Sequence, residues 1–362
     1  MNKTYEVFMR EALKQAELGI YTTSPNPNVG CVVVKDGKVV GKGYHYQSGM
    51  PHAEVYALEM AGDNAIGADL YVTLEPCCHY GKTPPCINKI ISSGIKKVVI
   101  GMLDPYLLVS GKGILALRNA GIDVVVGILE NDSRELNLGF ISRVTRSRPW
   151  VSVKLGVSLD GRTSLQNGTS RWITCQASRE DVHKLRARSD LIITGSNTVC
   201  IDNPLLNVRG MSVNKSITKL IIDSKLRTEP DSLIYNQGDR VLLATNSKKT
   251  ALKKFIDSLN IEIWDDISLN ERVNLPLLFN KISKKEYSYV LVEAGMNLNG
   301  ALLEHNLIDE LILYMSPKIL GTSSLGMFQI PEIENLENKF GFNFHSVNKL
   351  DKDIKIILRK NI

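Results

Sequence analysis

One histidine, one glutamate and three cysteines are spaced in this chain as a hydrolytic metal site requires. They stand in Pro51-His52-Ala53-Glu54, then Glu75-Pro76-Cys77-Cys78, then Pro84-Pro85-Cys86. A His and two Cys form a soft tetrahedral set suited to zinc. Three protein ligands leave the fourth position to water, which is the catalytic rather than the structural arrangement. Zinc lowers the pKa of that water toward neutrality. His52, Cys77 and Cys86 are the expected ligands. Cys78 could stand in for Cys77; Cys77 is preferred because it follows Pro76 directly at a strand end. Cys78 and His79 are expected to support the site. Glu54 is left for proton transfer, taking a proton from the water and delivering protons to a ring nitrogen and a departing amine. The chemistry is hydrolytic deamination of an aminopyrimidine-type ring. Singly, a His-x-Glu pair is an accident of composition and a Cys pair a core or structural feature; the weight lies in their combination.

The elements around these residues must bring them together. His52 and Glu54 are two apart, so in mid-helix they point in nearly opposite directions. Both can face one ion only if it sits off a helix N-terminus, and Pro51 marks one. Pro85 marks a second, where the helix dipole favours Cys86 as thiolate. The residues ahead of Cys77 read as a strand, Leu70 to Leu74. Around it the first half alternates: a helix over Met1–Gly19, strands at Val29–Val34 and Val39–Tyr44 about an Asp36-Gly37 turn, and helices at His52–Ala61 and Cys86–Ser93. A strand at Val98–Met102, a helix at Ile114–Ala120 and a strand at Val124–Ile128 follow. The late β-α-β-α-β order implies parallel sheet covered by helices.

The 362 residues suffice for two domains that each bury a core. The polar, basic stretch Arg143–Pro149 places a boundary, giving domains 1–147 and 148–362. Beyond it the alternation restarts. Strands are expected at Trp150–Gly156, Leu191–Thr194, Lys219–Asp223, Arg240–Ala244, Ser288–Glu293 and Glu310–Met315, with helices at Ser178–Arg188 and Gly300–His305. The composition, 43% hydrophobic and 23% charged, is that of a soluble globular protein. No apolar run approaches a membrane span, and the mixed-charge N-terminus is not a signal peptide, so a cytoplasmic protein is expected. The net charge of +6 collects after residue 147, where 29 Lys/Arg face 24 Asp/Glu. There is no Lys/Arg run and no aromatic interleaving, so nucleic acid is not expected as a partner; phosphorylated small molecules are. Without a secretory signal, a disulfide framework is not expected. Cys31, Cys175 and Cys200 read as buried small hydrophobes.

Longer strings carry a family resemblance: Thr22-Thr23-Ser24-Pro25-Asn26-Pro27-Asn28-Val29-Gly30, Pro51-His52-Ala53-Glu54, and Thr73 to Cys86. In the second half they are Lys154 to Arg162, Trp172-Ile173-Thr174, Asp202-Asn203-Pro204, Val292-Glu293-Ala294-Gly295 and Pro317 to Gly321. They resemble the bifunctional riboflavin-biosynthesis deaminase/reductase family over nearly the whole chain. The eight-residue gap from Cys77 to Cys86 points there, where most cytidine and adenosine deaminases carry Cys-x-x-Cys. The resemblance implies an N-terminal cytidine-deaminase-like α/β/α sandwich and a C-terminal dihydrofolate-reductase-like α/β domain. It implies zinc-dependent deamination of 2,5-diamino-6-(5-phosphoribosylamino)pyrimidin-4-one, then NADPH-dependent reduction of the ribosyl to the ribityl side chain. It also implies a homo-oligomer.

By resemblance, Asn26, His45 and Lys82 contact the deaminase substrate, with Lys82 on its phosphate. Gly156, Trp172, Thr198, Asp202 and Ser224 belong to the NADPH site. Gly295, Met296, Asn297, Leu298, Asn299, Gly300 and Ala301 form the cofactor-phosphate loop, and a helix start near Gly300 suits a phosphate. Ser170, Arg186, Leu206, Arg209 and Glu293 match reductase substrate positions, with Arg186 and Arg209 suited to the ribose phosphate. Asp202 is the acid expected to orient a ribosyl hydroxyl or handle its proton. On spacing alone these reductase positions read equally as turns, caps and strand-end polar residues. Tyr106 departs from the family, standing where an Asn would meet the deaminase substrate; a following Pro is missing, and Cys78 replaces a smaller residue. The competing reading is a zinc nucleobase deaminase of other specificity with a C-terminal binding module.

Overall fold

The computed structural model describes residues 3–80, 84–106, 110–211, 215, 217–235, 238–246, 261–269, 272–338 and 340–360. The chain divides into two compact units, Met1–Ser147 and Arg148–Ile362.

In the first unit, β1 (Gly30–Lys35) is followed by β2 (Lys38–Tyr44), β3 (Asp69–Leu74), β4 (Lys97–Met102) and β5 (Asp123–Val126), in the sheet order β2-β1-β3-β4-β5. β1 runs antiparallel to β2 and β3, while β3, β4 and β5 are parallel. Side chains alternate between two cores, as strand geometry requires. Cys31, Val33, Leu70, Val72, Val98 and Ile100 face one, under α2 (Ala53–Ala61), α3 (Cys86–Ser92) and α4 (Lys112–Asn119). Val32, Val34, Tyr71 and Val99 face the other, under α1 (Lys3–Leu18) and α5 (Glu130–Leu136). This is an α/β/α sandwich. Two glycines let α2 settle onto β2: a Cβ at Gly41 would lie 2.1 Å from the Ala57 carbonyl, and one at Gly43 2.5 Å from that of Ala53.

Sequence patterning places no element between Ile128 and the boundary, yet α5 and α6 (Leu138–Arg146) fill that stretch, so Arg143–Arg146 is a last helical turn. α5 is short and polar, with Ser133 its buried position, so it offers no apolar period; α6 does carry one, Leu138, Ile141 and Val144 at helical spacing, but its last turn overlaps the basic stretch read as a boundary. Asn137 between the helices donates to the Asn28 carbonyl at 3.0 Å and accepts from the Asn28 amide at 2.7 Å, tying the pair to the loop before β1.

The second unit centres on β6 (Trp150–Val157), β8 (Leu191–Gly195), β9 (Thr218–Ile222), β10 (Val241–Ala244), β11 (Ile261–Trp264), β14 (Tyr289–Val292) and β15 (Glu310–Met315). These strands are parallel, in the order β11-β10-β9-β8-β14-β6-β15. The antiparallel hairpin of β17 (Asn343–Leu350) and β18 (Asp353–Arg359) extends the sheet beyond β15. The hairpin and the helix Leu275–Lys284 were not expected from sequence; β17 is mostly exposed, so neither of its faces carries an apolar code. Two short antiparallel pairs lie outside this sheet, β7 (Arg162–Ser164) with β16 (Leu325–Gly326) and β12 (Ser268–Leu269) with β13 (Arg272–Val273). Helices α7 (Gln176–Arg188) and α8 (Ser196–Asp202) follow β7 and β8, and the helix Met296–Glu304 follows β14. That helix begins at Met296 with Gly295 as its cap, not near Gly300. Cys31 is buried as expected, but Cys175 is half-buried and Cys200 exposed, the latter on the solvent side of a two-turn helix.

Candidate active sites

The first site forms where three chain ends meet. His52 caps α2, Glu54 is its second residue, and Cys86 opens α3 behind Pro85. Cys77 lies just beyond β3. Their ligand atoms lie within 4.8 Å of one another. His52 Nδ1 is 3.1 Å from Cys86 Sγ and 3.5 Å from Cys77 Sγ. Zinc bonds of about 2.3 Å to sulfur and 2.0 Å to nitrogen, spread tetrahedrally, set such ligand atoms roughly 3.5 Å apart. Donor chemistry and spacing therefore fit zinc. Cys78 packs instead against the α2–α4 core, which closes the alternative left open by the sequence.

Two thiols, an imidazole and a buried carboxylate are crowded together here. Hydrogen bonding from Cys86 and His52 lowers the Cys77 thiol below its ordinary range, and the same contact with burial raises that of Cys86. Glu54 is 3% exposed, and its Oε2 has no partner among the described residues. Burial raises its carboxyl above the ordinary range, with His52 opposing. A buried carboxylate held beside the three ligands, with an unsatisfied oxygen, is placed to exchange protons with a molecule bound at the metal.

Asn26 and His45 meet beside this centre. The Asn26 amide donates to His45 Nε2 at 2.9 Å, and His45 Nδ1 donates to the Pro51 carbonyl at 3.1 Å, contacts that one neutral tautomer satisfies together. Burial lowers the His45 pKa and keeps it neutral. Its ring stands edge-on to that of His52, centroids 5.3 Å apart. Lys82 lies outside the described residues. Sequence reasoning gave no role to Glu75 and Asp104, both buried beside the metal ligands. Burial raises the Asp104 carboxyl to about 6, against the Tyr106 amide that donates to it.

The second site is a cavity of about 1510 Å³ at the carboxyl ends of β6, β8, β9 and β14. Ligands of open α/β sheets bind at such a crevice, and the volume exceeds the roughly 300–1,000 Å³ of a pocket for one drug-sized ligand. Gly156, Ser170, Trp172, Arg186, Thr198, Asp202, Leu206, Arg209, Ser224 and Glu293 all line it. Of the expected phosphate loop, Gly295, Met296, Asn297 and Leu298 line it too. Asn299 is fully buried, and a Cβ on Gly300 would lie 1.9 Å from the Gln329 carbonyl, so this side of the helix faces protein. Asp202 ends α8; its carboxylate is 3.5 Å from the Ser170 hydroxyl, and burial raises its pKa against Arg171. Trp172 lies under Arg179, 4.5 Å from the ring centroid.

Arg186 lines the cavity with part of its guanidinium already engaged. It grips Glu293 and donates through Nη1 to the Asn207 carbonyl at 3.0 Å. Burial pushes the Glu293 carboxyl up, but Arg186 and Lys154 outweigh it and hold it far below the usual range. Lys154, left unassigned by its strand-end position alone, is thus a functional neighbour that sequence did not single out.

The fold and the two sites define a class, a zinc deaminase unit followed by a reductase-type α/β unit in one chain. Residues 2–102 match the cytidine and deoxycytidylate deaminase zinc-binding region, and residues 149–356 match the RibD C-terminal domain. The riboflavin biosynthesis protein RibD of Escherichia coli (strain K12) is 41% identical over 96% of this chain and 97% of its own; that of Aquifex aeolicus (strain VF5) is 37% identical over 98% of each. The solved structure of Acinetobacter baumannii RibD superposes with a TM-score of 0.88 at 38% identity, covering 99% of each chain. A Thermotoga maritima diaminohydroxyphosphoribosylaminopyrimidine deaminase/5-amino-6-(5-phosphoribosylamino)uracil reductase superposes with a TM-score of 0.89 at 34% identity, again over 99% of each. This chain belongs to the RibD family.

Proposed function

We infer that this chain performs two successive steps of riboflavin biosynthesis: hydrolytic deamination of 2,5-diamino-6-(5-phosphoribosylamino)pyrimidin-4-one in residues 1–147, then NADPH-dependent reduction of the ribosyl side chain in residues 148–362. The observation that carries the first step is the buried, unsatisfied Glu54 oxygen beside a His-Cys-Cys set. His52, Cys77 and Cys86 would hold the zinc, whose chemistry would be to lower the pKa of water toward neutrality. Glu54 would accept the proton that the attacking water loses and pass it to the ring nitrogen, then take the remaining hydroxyl proton of the adduct and pass it to the departing amine, so that the C–N bond breaks and ammonia leaves. His45 and Asn26 orient the pyrimidine, and Lys82 its phosphate.

NADPH supplies the hydride for the second step. The carboxyl ends of β6, β8, β9 and β14 with Gly295–Leu298 cradle the cofactor, Trp172 and Thr198 flank it, and Arg209 suits the ribose phosphate. Asp202, its carboxyl raised by burial, handles the proton at a ribosyl oxygen. No helix among the described residues is long and apolar enough to cross a membrane, in keeping with a cytoplasmic enzyme; a homo-oligomer is part of the same reading.

Metal analysis with paired assays for ammonia release and NADPH oxidation tests the proposal. About one zinc per chain and both activities are expected. A metal-free active deaminase, or a chain that consumes no NADPH on the deaminated phosphoribosyl pyrimidine, would overturn it.

A further inference from the structure

The Glu75 carboxylate, 2% exposed, accepts hydrogen bonds from four backbone amides of one segment. Oε2 takes those of Asp104 at 3.3 Å and Gly111 at 3.0 Å; Oε1 takes those of Gly113 at 3.0 Å and Ile114 at 3.4 Å. Three of the four donors sit at the start of α4, whose cap Gly111 is left-handed at φ 77°. A carboxylate suits a helix start, where amides lack intrahelical partners and the dipole favours negative charge. The fit is tight: a Cβ on Gly113 would lie 2.4 Å from the Pro76 carbonyl. Glu75 stands two residues before Cys77. Asp104 and Tyr106 follow β4 on the neighbouring strand, with Asp104 close enough to Cys77 to feel its charge and the Tyr106 ring 6.3 Å from that of His79.

We propose that Glu75 is a positioning residue of the deaminase: it fastens the segment carrying Asp104 and Tyr106 to the strand that delivers Cys77, and so sets the wall of the pyrimidine pocket. The hold is entirely on backbone amides, and so it does not depend on which side chain occupies position 106. The hydrogen bonds of the Glu75 carboxylate go to backbone amides and not to His52, Cys77 or Cys86. The inference rests on the deaminase reading above.

The test compares the native chain with Glu75→Gln and Glu75→Asp. Gln places an NH₂ against amide donors and loses the charge that strengthens four hydrogen bonds. In Glu75→Gln, the deaminase KM is expected to rise about tenfold or more while kcat stays within about threefold, the pattern of lost substrate positioning rather than lost chemistry. Zinc should stay at the native content, and NADPH oxidation on deaminated substrate should be unchanged. Hydrogen–deuterium exchange should show faster exchange in 104–106 and 110–114, and Glu75→Asp should restore part of the KM. Zinc and kcat falling together would mean that Glu75 only shapes the Cys77 turn; an unchanged KM with unchanged exchange would remove the role altogether. If the native chain releases no ammonia, the deaminase reading fails by itself, and the exchange measurement still decides whether Glu75 holds the segment.

Discussion

Arg186 and Glu293, 107 residues apart, meet in a two-pronged ion pair, Nε to Oε1 at 2.6 Å and Nη2 to Oε2 at 3.0 Å, with Lys154 Nζ on the same carboxylate at 2.8 Å. The pair joins α7 to the end of β14, the third partner comes from β6, and all three residues line the cavity of the second unit.

Removing the carboxylate charge strands two cations. In Glu293→Gln, Arg186 and Lys154, with side chains 13% and 20% exposed, lose their shared counter-charge. Such a loss costs about 3–5 kcal/mol, to be read as a lower denaturation midpoint. The pH dependence has a definite sign. Because the folded Glu293 carboxyl is held below its ordinary value of 4.5, its contribution is full above that value and fades as the pH falls below it. Native and Glu293→Gln stabilities should therefore converge on acidification; a gap that widens in acid would contradict the ion-pair account.

Glu54→Gln should cut ammonia release by about 10²–10⁴-fold, the usual share of a general acid–base group. Zinc content and NADPH oxidation on pre-deaminated substrate should persist. If both activities vanish in a folded Glu54→Gln protein, the assignment of two independent sites is wrong.

Chelation should abolish ammonia release and leave the reduction intact. It should also open the half-buried Cys77 to alkylation, with protection restored by zinc and detected by peptide mass spectrometry. Cys200 is exposed and distant in sequence from this set, so its labelling should not change; alkylation of Cys77 at the same rate with and without zinc would exclude it as a ligand.

Two glycines of one helix start should respond oppositely. Gly300→Ala drives a methyl into the Gln329 carbonyl, whereas a Cβ on Gly295 meets nothing within 4 Å. Overpacking costs about 1–3 kcal/mol, so thermal denaturation of the cofactor-free protein should shift for Gly300→Ala and scarcely for Gly295→Ala. Equal shifts would place the helix differently from the structure described.

The sequence by itself determined the chemistry of the first half and the order of most of its elements. His, Glu and Cys are ligands or proton carriers by side-chain type, and Pro51 and Pro85 announce helix starts from local backbone constraint alone. Buried strands such as Val98–Met102 and Leu191–Thr194 were legible because their apolar runs are local. Tertiary structure decided what depends on partners far along the chain. Cys77 rather than Cys78 faces His52 because packing turns Cys78 into the core. Asn26 meets His45, Glu75 gathers amides from 104–114, and Arg186 pairs with Glu293. Helix α5 carries no apolar period, the period of α6 runs into the basic stretch that reads as a boundary, and the C-terminal hairpin is exposed on most of β17 and so leaves little apolar pattern. Side-chain type and local backbone preference are properties of short segments, whereas the partner of a polar group is fixed only when the fold brings distant segments into contact.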